Sequence, residues 1–133
     1  MEYETYLQFD ALQALARRTD AVTVNCACSA PELDGWTSLP VSFPEQQLSV
    51  IGTLVRDIYT EATFEEYHPQ GTILWSAEAP IAPLYYPYNR CVVSECNVCQ
   101  RAYLRYVEGG GYFVDPRIRR LRTGVLVDVP LSQ

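Results

Sequence analysis

The spacing of apolar residues changes character several times along the chain. Between Tyr6 and Arg18, Leu7, Leu12, Leu15 and Ala16 recur near helical spacing. Asp10 followed by Gln13 has the form of a capping box, which predicts a helix starting at Ala11. Arg17 and Arg18 then fall in its last turn, where they oppose the helix dipole. Residues 21–25 (AVTVN) alternate and are rich in β-branched side chains, which predicts a short strand running into Cys26. Prolines, Asp34 and Gly35 break residues 31–44 into a loop, with Trp36 and Phe43 as the side chains to tuck against a core.

Residues 45–55 read two ways. Pro44 suits the first position of a short helix, whereas Leu48-Ser49-Val50-Ile51 suits a strand. A strand is expected at residues 72–75 after the His68-Pro69-Gln70-Gly71 turn, and an extended crossover at residues 79–87, which carry Pro80, Pro83 and Pro87. Residues 91–95 and 102–108 read as strands, and the Gly109-Gly110-Gly111 turn leads into a third at 112–114. The expected fold is α+β: one domain over residues 1–133, with an N-terminal amphipathic helix on a small, mostly antiparallel sheet and a zinc-ribbon-like C-terminal part at about 85–121.

The size of the chain fits this plan, since 133 residues with 48% hydrophobic side chains can bury a core without a disulfide lattice. The longest apolar run, residues 48–55, is interrupted by Ser49, Gly52 and Thr53 and is far too short to cross a bilayer. The acidic start Met1-Glu2-Tyr3-Glu4 lacks the basic and apolar regions of a secretory signal, so a cytoplasmic location is expected. Charge is unevenly placed. Residues 1–80 carry twelve acids against Arg17, Arg18 and Arg56, net −9, whereas residues 81–133 carry seven arginines against four acids, net +3. Such acidity disfavours a general field for phosphate backbones and suits a basic partner, or serves solubility alone.

The cysteines carry the most chemistry. Five thiols in a reducing compartment are not a disulfide framework, and the count is odd. Cys26-Ala27-Cys28 is a C-x-C pair and Cys96-Asn97-Val98-Cys99 a C-x2-C pair, with Cys91 upstream. Two close pairs separated by a long insertion are what a tetrahedral structural zinc site needs, each forming a chelating turn. The expected cofactor is therefore structural Zn2+, held by Cys26, Cys28, Cys96 and Cys99. Variants in which Cys91 or His68 replaces one ligand stay open, as does the reading that the thiols are small buried hydrophobes. A redox C-x2-C fits less well, because that motif opens a helix and the residues after Cys99 are β-like.

The segment Cys91-Val92-Val93-Ser94-Glu95-Cys96-Asn97-Val98-Cys99-Gln100-Arg101-Ala102-Tyr103-Leu104-Arg105-Tyr106, followed by Glu108-Gly109-Gly110-Gly111-Tyr112 and Asp115-Pro116-Arg117-Ile118-Arg119, resembles the C-terminal region of a group of small proteobacterial proteins. In these a C-x2-C knuckle precedes a Leu-Arg-Tyr strand, a Gly-rich turn and an Arg-Ile-Arg segment. The match spans about residues 85–121. It implies a zinc-ribbon-like tail and a small accessory protein of the kind encoded beside secreted toxins, that is, an immunity protein.

Catalysis is not expected. The single histidine, His68, follows Glu65 and Glu66 but sits before a Pro-Gly turn, and no nucleophile elbow, P-loop or dinucleotide fingerprint occurs. Two binding functions remain. In the first, the acidic half occludes the basic active site of a toxin, with Glu61, Glu65 and Glu66 supplying charge and Tyr59 and Tyr67 serving as aromatic anchors. In the second, a zinc ribbon binds nucleic acid through Arg101, Arg105, Arg117, Arg119, Arg120 and Arg122, interleaved with Tyr103, Tyr106, Tyr112 and Phe113. The −9 half opposes that second function.

Overall fold

A computed structural model describes residues 5–110 and 112–131. One helix, α1 (Phe9–Asp20), precedes five strands: β1 (Thr37–Ser38), β2 (Leu48–Thr53), β3 (Val92–Cys96), β4 (Ala102–Gly110) and β5 (Phe113–Arg120). They form one sheet in the order β1-β5-β4-β3-β2 with every pairing antiparallel, so the α+β class holds.

The period-2 alternation of β4 gives the sheet two covered faces. Ala102, Leu104 and Tyr106 point toward α1 and join Leu12, Leu15, Ala16, Trp36, Val93 and Leu121 in one core cluster. Tyr103 points the other way and meets Phe43, Leu33, Ile118 and four of the cysteines in a second. Trp36 and Phe43 are buried as the loop reading required. The helix is tied to the sheet through buried Thr19, whose hydroxyl donates to the Leu15 carbonyl and accepts the Ala102 N–H at 3.0 Å each. Arg18 adds an ion pair to Glu95.

Several elements differ from the sequence pattern. The helix starts at Phe9, and Asp10 accepts the neighbouring Ala11 N–H inside the first turn instead of capping it. Residues 21–25 are irregular, with a turn at Ala21 and one bend at Val24, not a strand. The N–H groups of Ala21 and Val22 still bond back to Arg17 and Thr19, so the start of this run closes the helix, and the edge place beside β5 belongs to Thr37–Ser38. Residues 72–75 also fold into a turn: Ser76 donates its N–H to the Ile73 carbonyl and accepts the Ile73 N–H on its hydroxyl. The ambiguous run 45–55 contains both elements, a 3-10 turn at Glu45–Gln47 followed by β2.

The third strand of the tail is much longer than residues 112–114, running from Phe113 through Pro116 to Arg120. Pro116 is tolerated because its carbonyl, which takes the Leu39 N–H, and its missing N–H both face the edge where β1 has ended. Gly111, part of the expected triple-glycine turn, lies outside the described residues.

Between β2 and β3 lies a long excursion, residues 54–87, without helix or strand apart from an isolated bridge between Ile81 and Leu126. Backbone turns meet many of its carbonyls, and side chains from the rest of the chain meet those of Ala62, Thr63, Ala77, Ala79 and Leu84. Buried Arg119 donates to the carbonyls of Ala77 (3.0 Å), Ala79 (2.8 Å) and Asp34 (2.8 Å) and to the Tyr88 hydroxyl. Arg122 also reaches Ala77, Arg90 reaches the Ala62 carbonyl at 2.6 Å, and Asn89 reaches Thr63 and Leu84. Gly35 lets the excursion come close, since a Cβ there would sit 2.5 Å from the Trp75 carbonyl oxygen.

Candidate metal centre

The two cysteine pairs arrive on different kinds of turn. Cys26 heads the short 3-10 turn Ala27–Ser29, where the Ser29 hydroxyl accepts the Cys26 N–H and donates to its carbonyl. Cys96 is the last residue of β3, and the chain reverses at once: Gln100 N–H bonds the Cys96 carbonyl and Cys96 N–H bonds the Arg101 carbonyl, both at 2.8 Å. Gln100 adopts the left-handed region, with φ of 68°, to turn the knuckle into β4. A backbone bond of 2.7 Å from Asn97 N–H to the Gln47 carbonyl fastens the knuckle to the start of β2.

All four sulfurs converge. The Sγ atoms of Cys26, Cys28, Cys96 and Cys99 lie within 4.8 Å of one another, with Cys26 to Cys96 at 3.8 Å and Cys28 to Cys99 at 3.5 Å. Zinc at about 2.3 Å from four tetrahedral sulfurs would place those sulfurs about 3.8 Å apart, so the quartet already has the size of a metal site. Three of the four are buried, and Cys26 is half-buried at the rim.

The surroundings are built for electron-rich sulfur. The Ser29 N–H reaches Cys26 Sγ, the N–H groups of Val98 and Cys99 reach Cys96 Sγ, and the Arg101 N–H reaches Cys99 Sγ. Side chains add to these. Tyr103 donates its hydroxyl to Cys28 Sγ at 3.1 Å, Arg101 donates to Cys99 Sγ at 3.5 Å, and the Gln47 carboxamide lies beside Cys26 and Cys96. Burial pushes the Cys28 thiol far up against the pull of the Tyr103 hydroxyl, and raises Cys96 against its two backbone donors. At Cys99 burial is outweighed by the Arg101 N–H, the Cys28 thiol and the Arg101 guanidinium, which bring it down to about 7. Metal binding at such a set displaces the protons of its thiols, which couples affinity to pH.

The spare cysteine and the histidine lie elsewhere. Cys91 is fully buried in the helix-side cluster and directs its thiol to the Pro87 carbonyl at 3.4 Å. His68 closes a turn, bonding Thr72 at 2.8 Å and Glu66 at 2.7 Å. Half of the quartet comes from residues 26 and 28, as the spacing predicts, but on a 3-10 turn and not on the expected strand end.

Of the residues assigned to a protein partner, Tyr59 is 89% exposed, and Glu61, Glu65 and Glu66 are exposed on the same excursion. Tyr67 is half-buried, its ring 5.2 Å from that of Tyr85. The arginines of the alternative reading are largely occupied: Arg105 pairs with Glu45, Arg117 with Glu108 and Asp115, Arg120 and Arg122 with Asp34, and Arg119 is buried on carbonyls. The uneven charge along the sequence is thus drawn together across the fold. Among the described residues, no helix is long and apolar enough to cross a membrane.

Comparison with known proteins found no matching family model, no matching curated protein and no matching solved structure.

The sequence spacing picked out the four sulfurs but not their neighbours. Gln47 carried no signal beyond lying in an ambiguous segment. Arg101 and Tyr103 were legible only as a basic and aromatic strand, although a donor two and four residues after Cys99 is well placed to turn back onto the knuckle.

Proposed function

We propose that this chain is a non-catalytic protein-binding module braced by a structural zinc ion on Cys26, Cys28, Cys96 and Cys99, and that it acts as an immunity protein, occluding the basic active site of a cognate bacterial toxin. The convergence of four sulfurs from turns 70 residues apart carries the zinc part of this reading. Such a centre takes no open ligand position and belongs to the structural class. The binding part rests on the excursion, where Tyr59, Glu61, Glu65 and Glu66 are exposed residues, Glu66 with its carboxylate on His68. Acidic side chains around an aromatic anchor suit a basic cleft, raising association rate and specificity more than affinity. Nucleic-acid binding has less to work with, since the arginines it needs are paired with Glu45, Asp34, Glu108 and Asp115 or buried.

The test is association with a toxin encoded beside this chain. Changing Glu61, Glu65 and Glu66 to Arg is expected to slow association at low salt and to keep the fold, at a cost of about 1 kcal/mol that includes the exposed Glu66–His68 pair. Added salt is expected to slow the wild-type protein in the same direction. An unchanged association rate in the triple variant contradicts the acidic-face reading. Tighter binding of single-stranded nucleic acid by that variant, lost when Arg117 and Arg120 become Ala, would favour the alternative.

A further inference from the structure

The far side of the excursion from the cysteines carries an acceptor that the fold leaves unused. Asn89, on the turn before β3, is only 6% exposed. Its backbone N–H bonds the Tyr85 carbonyl, and its carboxamide nitrogen is committed to the carbonyls of Thr63 at 2.9 Å and Leu84 at 3.2 Å. Two carbonyl partners fix that end of the amide as the nitrogen, so the other end is the oxygen. That oxygen is buried and accepts from no group among the described residues. A buried acceptor without a donor is costly, and it marks a place that a donor from outside can complete.

Asn89 lines a cleft of about 410 Å3, a size that suits a ligand group. Leu54, Val55, Ala62, Leu84 and Leu131 give it apolar walls, and the exposed residues Arg56, Asp57 and Glu61 line it toward solvent. A second hollow of about 420 Å3 shares Asp57, Glu61 and Asn89 and extends to exposed Tyr59. Asp57 is preset as an anion: its carboxylate accepts the Tyr59 N–H at 2.9 Å and the Thr60 hydroxyl at 2.8 Å, which hold its carboxyl below the usual range. Two carboxylates against the Arg56 guanidinium leave the mouth of the cleft net negative. They do not form a metal cage, since among the described residues only the four cysteines group closely enough for one. Apolar walls with acceptors at both depths instead match a long basic side chain, whose methylenes pack on the walls while its charge keeps to polar partners.

We infer that this cleft is the pocket for a lysine side chain of the protein partner, with the ammonium group donating to the Asn89 carboxamide oxygen and to the carboxylates of Asp57 and Glu61, and the aliphatic stem lying on Leu54, Leu84 and Leu131. An ammonium group has three donors, enough for such a set. The inference rests on the reading that the acidic excursion is the binding face, and it deepens that reading. Exposed rim charges chiefly set association rate, whereas a side chain seated in a pocket beside an aromatic residue slows dissociation.

The probe is Nα-acetyl-lysine methylamide, compared with its norleucine analogue, which keeps the four-carbon stem and lacks the charge. Each is titrated into the isotope-labelled full chain at low salt, while NMR follows the Asn89 side-chain NH2 and the backbone amides of residues 57–63. Saturable shifts with the lysine compound and none with the norleucine compound are expected, a readout that needs no variant. Asp57→Asn combined with Glu61→Gln is expected to weaken binding about fivefold, and Arg56→Ala to tighten it about twofold. The same double variant is expected to leave the toxin encoded beside this chain about fivefold faster than the wild-type protein does. Shifts that are equal for the two compounds, or absent with both, overturn the lysine pocket while the acidic-face reading stands on its own test. Two results overturn the assignment to the partner. One is spermidine bound about tenfold more tightly than the lysine compound, which gives the cleft to a free polyamine. The other is toxin dissociation unchanged in the double variant although the wild-type protein binds the lysine compound.

Discussion

The two irregular regions of this fold, the cysteine face and the excursion over residues 54–87, are held by opposite chemistry. Buried loop backbone must find partners for its N–H and C=O groups. On the cysteine face, backbone N–H groups of Ser29, Val98, Cys99 and Arg101 point inward at sulfur, and a cation at the centre would tie together two turns far apart in sequence. On the excursion it is the carbonyls of Ala62, Thr63, Ala77 and Ala79 that point inward, and guanidinium and carboxamide donors from Arg90, Asn89 and Arg119 meet them. A surplus of inward N–H groups calls for an anion-like centre, and a surplus of inward carbonyls for a fixed cation. Arg119 of β5 supplies part of the second, and Asn89 and Arg90 of the turn before β3 the rest, whereas the first depends on sulfur and the metal it can bind.

This contrast can be broken from either side. The largest effect is expected from Cys96→Ser, which should abolish metal binding and unfold the cysteine face, because binding energies on the order of 10 kcal/mol are folding energy in zinc domains. Cys91→Ala is the control and should cost only about 1–2 kcal/mol, keeping the metal, since Cys91 packs in the other cluster. Thermal unfolding with and without added zinc distinguishes the two. Arg119→Met should come next, at about 3 kcal/mol, by leaving the carbonyls of Asp34, Ala77 and Ala79 and the Tyr88 hydroxyl without their donor. Hydrogen exchange should then rise across residues 72–82 and stay unchanged around Cys96. Equal rises in both regions would show that they are not held independently.

Gly35→Ala should cost about 1–3 kcal/mol, since its Cβ would press on the Trp75 carbonyl. The smallest effect is expected at Gln100, where the left-handed backbone makes Gln100→Gly favourable by about 1 kcal/mol, read as a rise in melting temperature of the metal-loaded protein.

The same contrast explains what the amino-acid pattern could disclose. The knuckle was legible because its logic is local: two cysteines three positions apart between two strand-like runs fix a reverse turn. The helix and β4 were legible for a similar reason, a periodicity sustained over several residues. Residues 21–25 alternate without forming a strand, because alternation states only that a run can be one, and here its first N–H groups are taken by the helix end. Residues 54–87 have no periodicity to read, since their partners lie on Asn89, Arg90, Arg119 and Arg122. Arg119 belongs by sequence to the arginines of the nucleic-acid reading, yet it is buried. Its register opposite Leu104 places it on the helix-side face, and register is a property of the folded sheet.

The central claim is that the four converging sulfurs hold one structural zinc ion, and metal content measured on protein purified under reducing conditions tests it most directly. About one zinc per chain, removed by a strong chelator together with the cooperative thermal transition and restored by adding zinc back, is the result expected from the proposed function. Protein that is free of metal, does not take up zinc, and melts at the same temperature with or without chelator would contradict it.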